Sequence, residues 1–174
     1  MKKENFRGFT IVELLVVITI IATLAVLTIV AYRNIQQRSI QAKQDADVSQ
    51  LIKAIMVARE KEGKPLRDIT GSTWTIGGCE ISGNNPDATE PRDLSKTHPC
   101  WMKYDLAISR IAIAAGSNLD RLRDGDARGN PYGIDENEAE STQPCNRDVI
   151  VTFAGLSTTR RGLTYIPLTI GQGC

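Results

Sequence analysis

Apolar residues are concentrated at one end of this chain. Positions 9 to 32, FTIVELLVVITIIATLAVLTIVAY, hold a single charge, Glu13, while most polar and turn-forming residues lie behind them. Such a run matches the roughly 20 apolar residues needed to cross about 30 Å of hydrocarbon. It predicts a membrane segment followed by a water-soluble part. A secretory signal would also start basic and turn apolar, but its apolar region is only about 7 to 15 residues and ends at small residues of the Ala-x-Ala kind. Here the run is longer, and TLA at 23–25 is a poor version of such a site.

The helical pattern continues past Tyr32. Residues 33–62 are rich in helix formers, and Val48, Leu51, Ile52, Ile55 and Val57 or Ala58 recur at three-to-four spacing. Gly63 and then Pro65 stand in the order of a helix C-terminus. The pattern predicts one helix over 9–62, about 80 Å long at 1.5 Å per residue. Its first half, 9–32, is apolar all round, so it projects and needs lipid or other protein. Its second half, 33–62, has one apolar stripe and lies against a globular domain made by 63–174.

Within that domain STWTIGGCEI at 72–81 reads as a strand and turn, and NNPDATEPRD at 84–93 as a loop. YDLAISRIAIAAGSNLDRL at 104–122 reads as a short helix with Leu106, Ile111 and Ala115 inward. DVIVTFAG at 148–155 and GLTYIPLTI at 162–170 read as adjacent antiparallel strands joined through STTRR. There is no internal repeat and no low-complexity tract. A long helix followed by a small antiparallel sheet packed on its C-terminal half is an α+β arrangement.

Charge adds little to the picture. The formal net charge is +1; residues 1–8 contribute +2 from Lys2, Lys3, Arg7 and Glu4, so a product starting at Phe9 carries +1 − 2 = −1. Nothing there suggests strong attraction to nucleic acid. Cations flank the apolar run on both sides, with Arg33, Arg38 and Lys43 facing the leading three, so the positive-inside rule gives no orientation. The four cysteines do. Cys79, Cys100, Cys145 and Cys174 all lie behind the apolar run and form no Cys-x-x-Cys pair, which reads as disulfides rather than zinc ligands. Disulfides place the soluble domain outside the cytoplasm.

Glu13 calls for a reason, because a carboxylate in an apolar segment is costly unless paired. It lies about 6 Å of helix rise from Phe9, near the membrane edge, where snorkelling is open to it. A sharper reading comes from the surrounding residues. KKENFRGFTIVELLVVITIIATLA resembles the leader and N-terminal segment of the type IV pilin superfamily: a short basic leader, Gly8 before the cleavage point, Phe9 as first mature residue and glutamate at the fifth mature position. The resemblance implies a bacterial prepilin with leader 1–8, cut between Gly8 and Phe9 by a prepilin peptidase and methylated on the new amino group. It also implies that Glu13 neutralises the amino terminus of a neighbouring Phe9 as subunits leave lipid and bundle their apolar helices.

The partners it implies are other copies of the chain, other pilin subunits, the peptidase, an inner-membrane assembly platform, and membrane lipid before assembly. The expected location is the cytoplasmic membrane, as a single-pass protein, and then an extracellular pilus or a periplasmic pseudopilus. A pilus subunit, major or minor, is the leading expectation, with a pseudopilin of a secretion or DNA-uptake machine as the rival. A membrane-anchored binding protein that never polymerises is a further class. Three disulfide pairings can be drawn; Cys79 with Cys100 and Cys145 with Cys174 is preferred, the second resembling the C-terminal disulfide loops of many pilins.

Three other constellations have chemical readings. GNPY at 129–132 resembles the motif before the C-terminal loop of the major pseudopilins of type II secretion, although Ala127 and Arg128 replace the proline and tryptophan usual there. Asp124, Asp126, Gly129 and Asp135 fall on positions 1, 3, 6 and 12 of a calcium loop. Arg128, Pro131 and the aspartate at the last position speak against calcium, and the plain alternative is an acidic surface turn built by Asn130-Pro131. His98 near Cys100 suggests a base and thiol, but no third group orients them, so no enzymatic activity and no cofactor are expected. Arg160 and Arg161 with Lys96 could form a DNA patch; arginines in a hairpin turn ordinarily protect a sheet edge, and DNA binding is not expected.

Overall fold

The 52 residues Ile11–Glu62 contain neither glycine nor proline and form one α-helix, α1. The computed structural model describes residues 10–72, 74–75, 91–137, 147–153 and 160–167. The chain divides into two units, 1–41 and 42–174, and α1 contributes to both. In the first unit the large apolar side chains of Ile11 to Ile35 are all exposed, and the helix is long and apolar enough to cross a membrane. β-branched residues are indifferent helix formers in water. In lipid they stay helical because every backbone group must find its partner within the segment.

In the second unit α1 turns one stripe inward, with Gln44, Asp47, Val48, Leu51, Ala54, Ile55, Ala58 and Arg59 buried. Ala58 rather than Val57 holds the inward position, Val57 being exposed. Gly63, at φ 63°, ends the helix and its N–H donates to the Arg59 carbonyl at 2.8 Å. A short helix follows, α2 (Leu66–Thr70), closed by Gly71 in the left-handed region. Then come a 3-10 turn at Pro91–Asp93, α3 (Pro99–Ala115) and α4 (Asp120–Arg123).

The strands β1 (Gly133–Asp135), β2 (Val149–Phe153) and β3 (Arg160–Tyr165) form an antiparallel sheet in the order β1-β2-β3. Ile134 faces Ile150 across the first pair, and Val151 faces Leu163 across the second. Ile134 and Ile150 join the main core with Leu51 and Ile55 of α1 and Trp101, Tyr104, Ile108 and Ile111 of α3. Val149 and Val151, of opposite parity, pack in a second cluster with Cys100, Trp74 and Leu94. The central strand is therefore covered on both faces, which is why β2 reads as an unbroken apolar run.

The α+β class stands, with corrections in detail. The helix expected at 104–122 runs from Pro99 to Ala115, because Pro99 suits a first turn and Gly116, at φ 66°, supplies the left-handed cap. Starting five residues earlier changes its inward face: Trp101, Tyr104, Ala107, Ile108 and Ile111 are buried, whereas Leu106 is 49 % exposed. Arg160 and Arg161 belong to β3 rather than to a turn. Of the strand expected at 72–81, Trp74 forms a single bridge with Asp135, while 76–81 lies outside the described residues. Residues 84–90 and 168–170 also lie outside them.

The largest correction concerns the supposed surface turn at 124–138. Gly125, Asp126 and Asn130 to Ile134 are buried, and so is Glu136. Asp126 N–H donates to the Asn130 carbonyl at 2.8 Å, and Gly125, at φ 84°, has that carbonyl where a Cβ would stand, with Trp101 beside it. Gly125→Ala is expected to cost about 1–3 kcal/mol, through the positive φ and this crowding, read as a lower urea midpoint with unchanged m.

Candidate functional site at the head of the first helix

Thr10 and Glu13 build a reciprocal capping box. The Thr10 N–H and hydroxyl both donate to Glu13 Oε2, at 2.9 and 2.8 Å, and the Glu13 N–H donates to Thr10 Oγ1 at 3.3 Å. Thr-x-x-Glu ahead of an apolar run is the sequence form of this box, so Thr10 was legible beside Glu13 and was missed. One carboxylate oxygen, Oε2, takes both bonds. Gly8 and Phe9 lie outside the described residues.

Behind the box the helix hides its few remaining hydroxyls. Thr19 donates to the Val16 carbonyl and Thr23 to the Ile20 carbonyl, both at 2.8 Å, and Thr28 to those of Leu24 and Ala25. Folding each hydroxyl back on its own helix satisfies it without a partner, as an apolar surrounding requires. From Leu14 to Tyr32 the segment therefore carries no charge and no hydroxyl that must find a mate in lipid, apart from the Tyr32 phenol at its end. Glu13, just ahead of it, is the one charged side chain in residues 9–32.

The other predicted groups have structural work. His98 caps α3, its Nδ1 accepting the Cys100 N–H at 3.3 Å. Cys100 is disulfide-bonded, so its thiol is not available to a base. Cys79, Cys145 and Cys174 lie outside the described residues, and the pairing with them. Asp126, placed in the supposed calcium loop, instead takes the N–H groups of Arg128 and Asn130 on Oδ1, at 2.8 and 2.9 Å, and the Gln44 amide on Oδ2 at 2.6 Å. Asp124 is on the surface and Asp135 is in β1; among the described residues no three acidic, histidine or cysteine groups are brought together to hold a metal. Lys96 lies 3.2 Å from the centroid of the Trp101 ring and near the Asp124 carboxylate, while the side chains of Arg160 and Arg161 lie outside the description.

Sequence reasoning also missed the buried polar anchors. Asp47 of α1 accepts the Tyr132 hydroxyl at 2.9 Å and an Arg121 N–H at 2.6 Å. Arg59 pairs with Asp148 and donates to the Pro167 carbonyl at 2.6 Å. Glu136 is fully buried and accepts the Thr75 hydroxyl. Tyr132, Ile134 and Glu136 occupy alternate positions, so the period of two that marks the strand also pointed this glutamate inward.

Residues 4–29 match the model of the prokaryotic N-terminal methylation motif, the prepilin-type signal of type IV pilins and pseudopilins. No curated protein and no solved structure is matched by the chain. The motif ends within the apolar segment just described. It supports a pilin-like or pseudopilin precursor, and with the apolar helix it fits a protein anchored in the inner membrane.

Proposed function

We propose that this protein is a structural subunit of a type IV pilus, cut between Gly8 and Phe9 by a prepilin peptidase, methylated on Phe9 and polymerised through residues 9–32 of α1. The observation that carries this reading is the methylation motif running into an exposed apolar stretch of helix whose only charged side chain, over residues 9–32, is Glu13. Outside lipid such a helix is stable only when covered by other apolar helices, and copies of itself are the simplest cover. The Glu13 carboxylate then meets the amine that cleavage creates on a neighbour. The box formed with Thr10 keeps the carboxylate partnered in a single subunit and leaves its Oε1 to accept from that amine.

Other pilin subunits and an inner-membrane assembly platform complete the set of partners, and the soluble unit lies outside the cytoplasm. Its four cysteines pair as Cys79–Cys100 and Cys145–Cys174, and the chain has no enzymatic role. A pseudopilin is the second reading, favoured by GNPY at 129–132, whose Asn130, Pro131 and Tyr132 are all buried.

Mass spectrometry of unreduced protein from sheared surface material and from membranes tests this. A peptide starting at N-methylated Phe9 in the sheared fraction, with four hydrogens missing from the whole protein, is the expected result. Processed protein confined to membranes points to the pseudopilin. An intact leader everywhere, or a cut near Ala25, overturns both readings. Gly8→Leu is expected to abolish cleavage, leaving only the uncut precursor on an immunoblot.

A further inference from the structure

Glu136 sits where three pieces of the soluble unit meet. It follows β1, its Oε1 accepts the hydroxyl of Thr75, and the buried Thr70 hydroxyl of α2 is close enough to favour its charged form. Asp148, leading into β2, is a second buried carboxylate, near enough for its charge to oppose that of Glu136. Asp148 is neutralised by Arg59 of α1, which also donates to the Pro167 carbonyl. Glu136 is 0 % exposed, and among the described residues its Oε2 has no hydrogen-bond partner and no cation bonds it. Asp148 thus has a guanidinium against it, and among the described residues Glu136 has none.

A carboxylate in that position is unfavourable, and a carboxylic acid is not. Burial withdraws the hydration that an anion needs, and a like charge nearby adds to the penalty. The acid form removes both penalties with one proton. We propose that Glu136 is a proton-operated fastening: protonated, it holds β1, α2 and the Thr75 bridge together beside Asp148; ionised, it confronts Asp148 and loosens that junction.

Burial first and Asp148 as well push the Glu136 carboxyl up from 4.5 to about 7, against the opposing influence of the Thr75 and Thr70 hydroxyls. The folded form therefore holds the proton more tightly than the unfolded chain does. Stability from this group is complete below about pH 4.5 and is lost as the pH rises through about 7. For a domain outside the cytoplasm, that window is the pH of its surroundings. The inference is independent of polymerisation and holds for an anchored monomer.

The test uses the full-length protein in detergent micelles with EDTA present, so that no divalent cation contributes. The side-chain carboxyls of glutamate are labelled with carbon-13 and titrated, and urea unfolding is followed from pH 5 to pH 8.5 for the wild type, Glu136→Gln and Thr75→Val. One glutamate signal, missing in Glu136→Gln, should titrate near 7 and move higher in Thr75→Val, which loses a donor to the anion. The folded-to-unfolded ratio of the wild type should fall by roughly tenfold or more across the range relative to Glu136→Gln. That comparison cancels the groups that do not interact with Glu136. A Glu136 signal titrating near 4.5, or equal pH dependence in wild type and Glu136→Gln, overturns the proposal. If Glu136→Gln does not fold, the signal that moves in Thr75→Val identifies Glu136, and its midpoint decides alone.

Discussion

Glu13→Ala is expected to be cleaved as efficiently as the wild type and to be missing from filaments. In the proposed function cleavage depends on the leader and on Gly8, whereas the carboxylate acts later, when an apolar helix must leave lipid and lie beside others. In that surrounding a fresh amino terminus is a charge without water, and the remedy within the chain's own composition is Glu13, the single charged side chain in residues 9–32. Immunoblots of membranes and of sheared material separate the two steps: the variant should appear at the processed size in membranes and be reduced at least tenfold in the sheared fraction. Wild-type incorporation of Glu13→Ala would remove the role assigned to this residue. Thr10 and Glu13 form one box, so loss of the carboxylate also frees the Thr10 N–H, but that exposed first turn can fray without disturbing residues farther along.

Arg59→Leu is expected to produce the largest loss of stability, about 3–5 kcal/mol, because it leaves Asp148 buried without its cation. The pair is buried on both sides, at 3 and 1 % exposure, so water cannot replace the guanidinium. The same change also frees the Pro167 carbonyl. Folded domains are stable by about 5–15 kcal/mol in all, so the variant should be near the limit of folding at neutral pH. Urea unfolding of the full-length protein in detergent measures the loss. Lys64→Gln is the control: its partner Glu62 is exposed as it is, and such surface changes stay within about 0.5 kcal/mol. A loss below about 1 kcal/mol for Arg59→Leu would mean that the soluble unit opens enough for water to hydrate Asp148.

Legibility in the sequence followed the range over which each signal acts. The stripe Val48, Leu51, Ile55 and Ala58 emerged as read, since a helix of period 3.6 imposes it locally. The start of α3 did not, because Pro99 and His98 look like loop residues until the cap they make is seen. Leu106 was put inward by counting from Tyr104 as the first turn, when Trp101 and Tyr104 themselves occupy the buried face. The acidic composition of 124–138 suggested a solvated turn, yet Asp126 is paired to Gln44 from 82 positions away. A carboxylate's surroundings cannot be read from its immediate neighbours when its partners come from another element.

By itself the sequence determined the motif at 4–29, the apolar run, the single carboxylate within it and the amphipathic continuation of the helix, all of which are properties of contiguous residues. The tertiary structure alone decided which polar groups are buried and who satisfies them: Asp47 by Tyr132 and Arg121, Asp148 by Arg59, Asp126 by Gln44 and its own turn, and Glu136 by hydroxyls without a cation. Those pairings join residues tens of positions apart, and their energy depends on burial, which exists only once the helix and the sheet have closed over them.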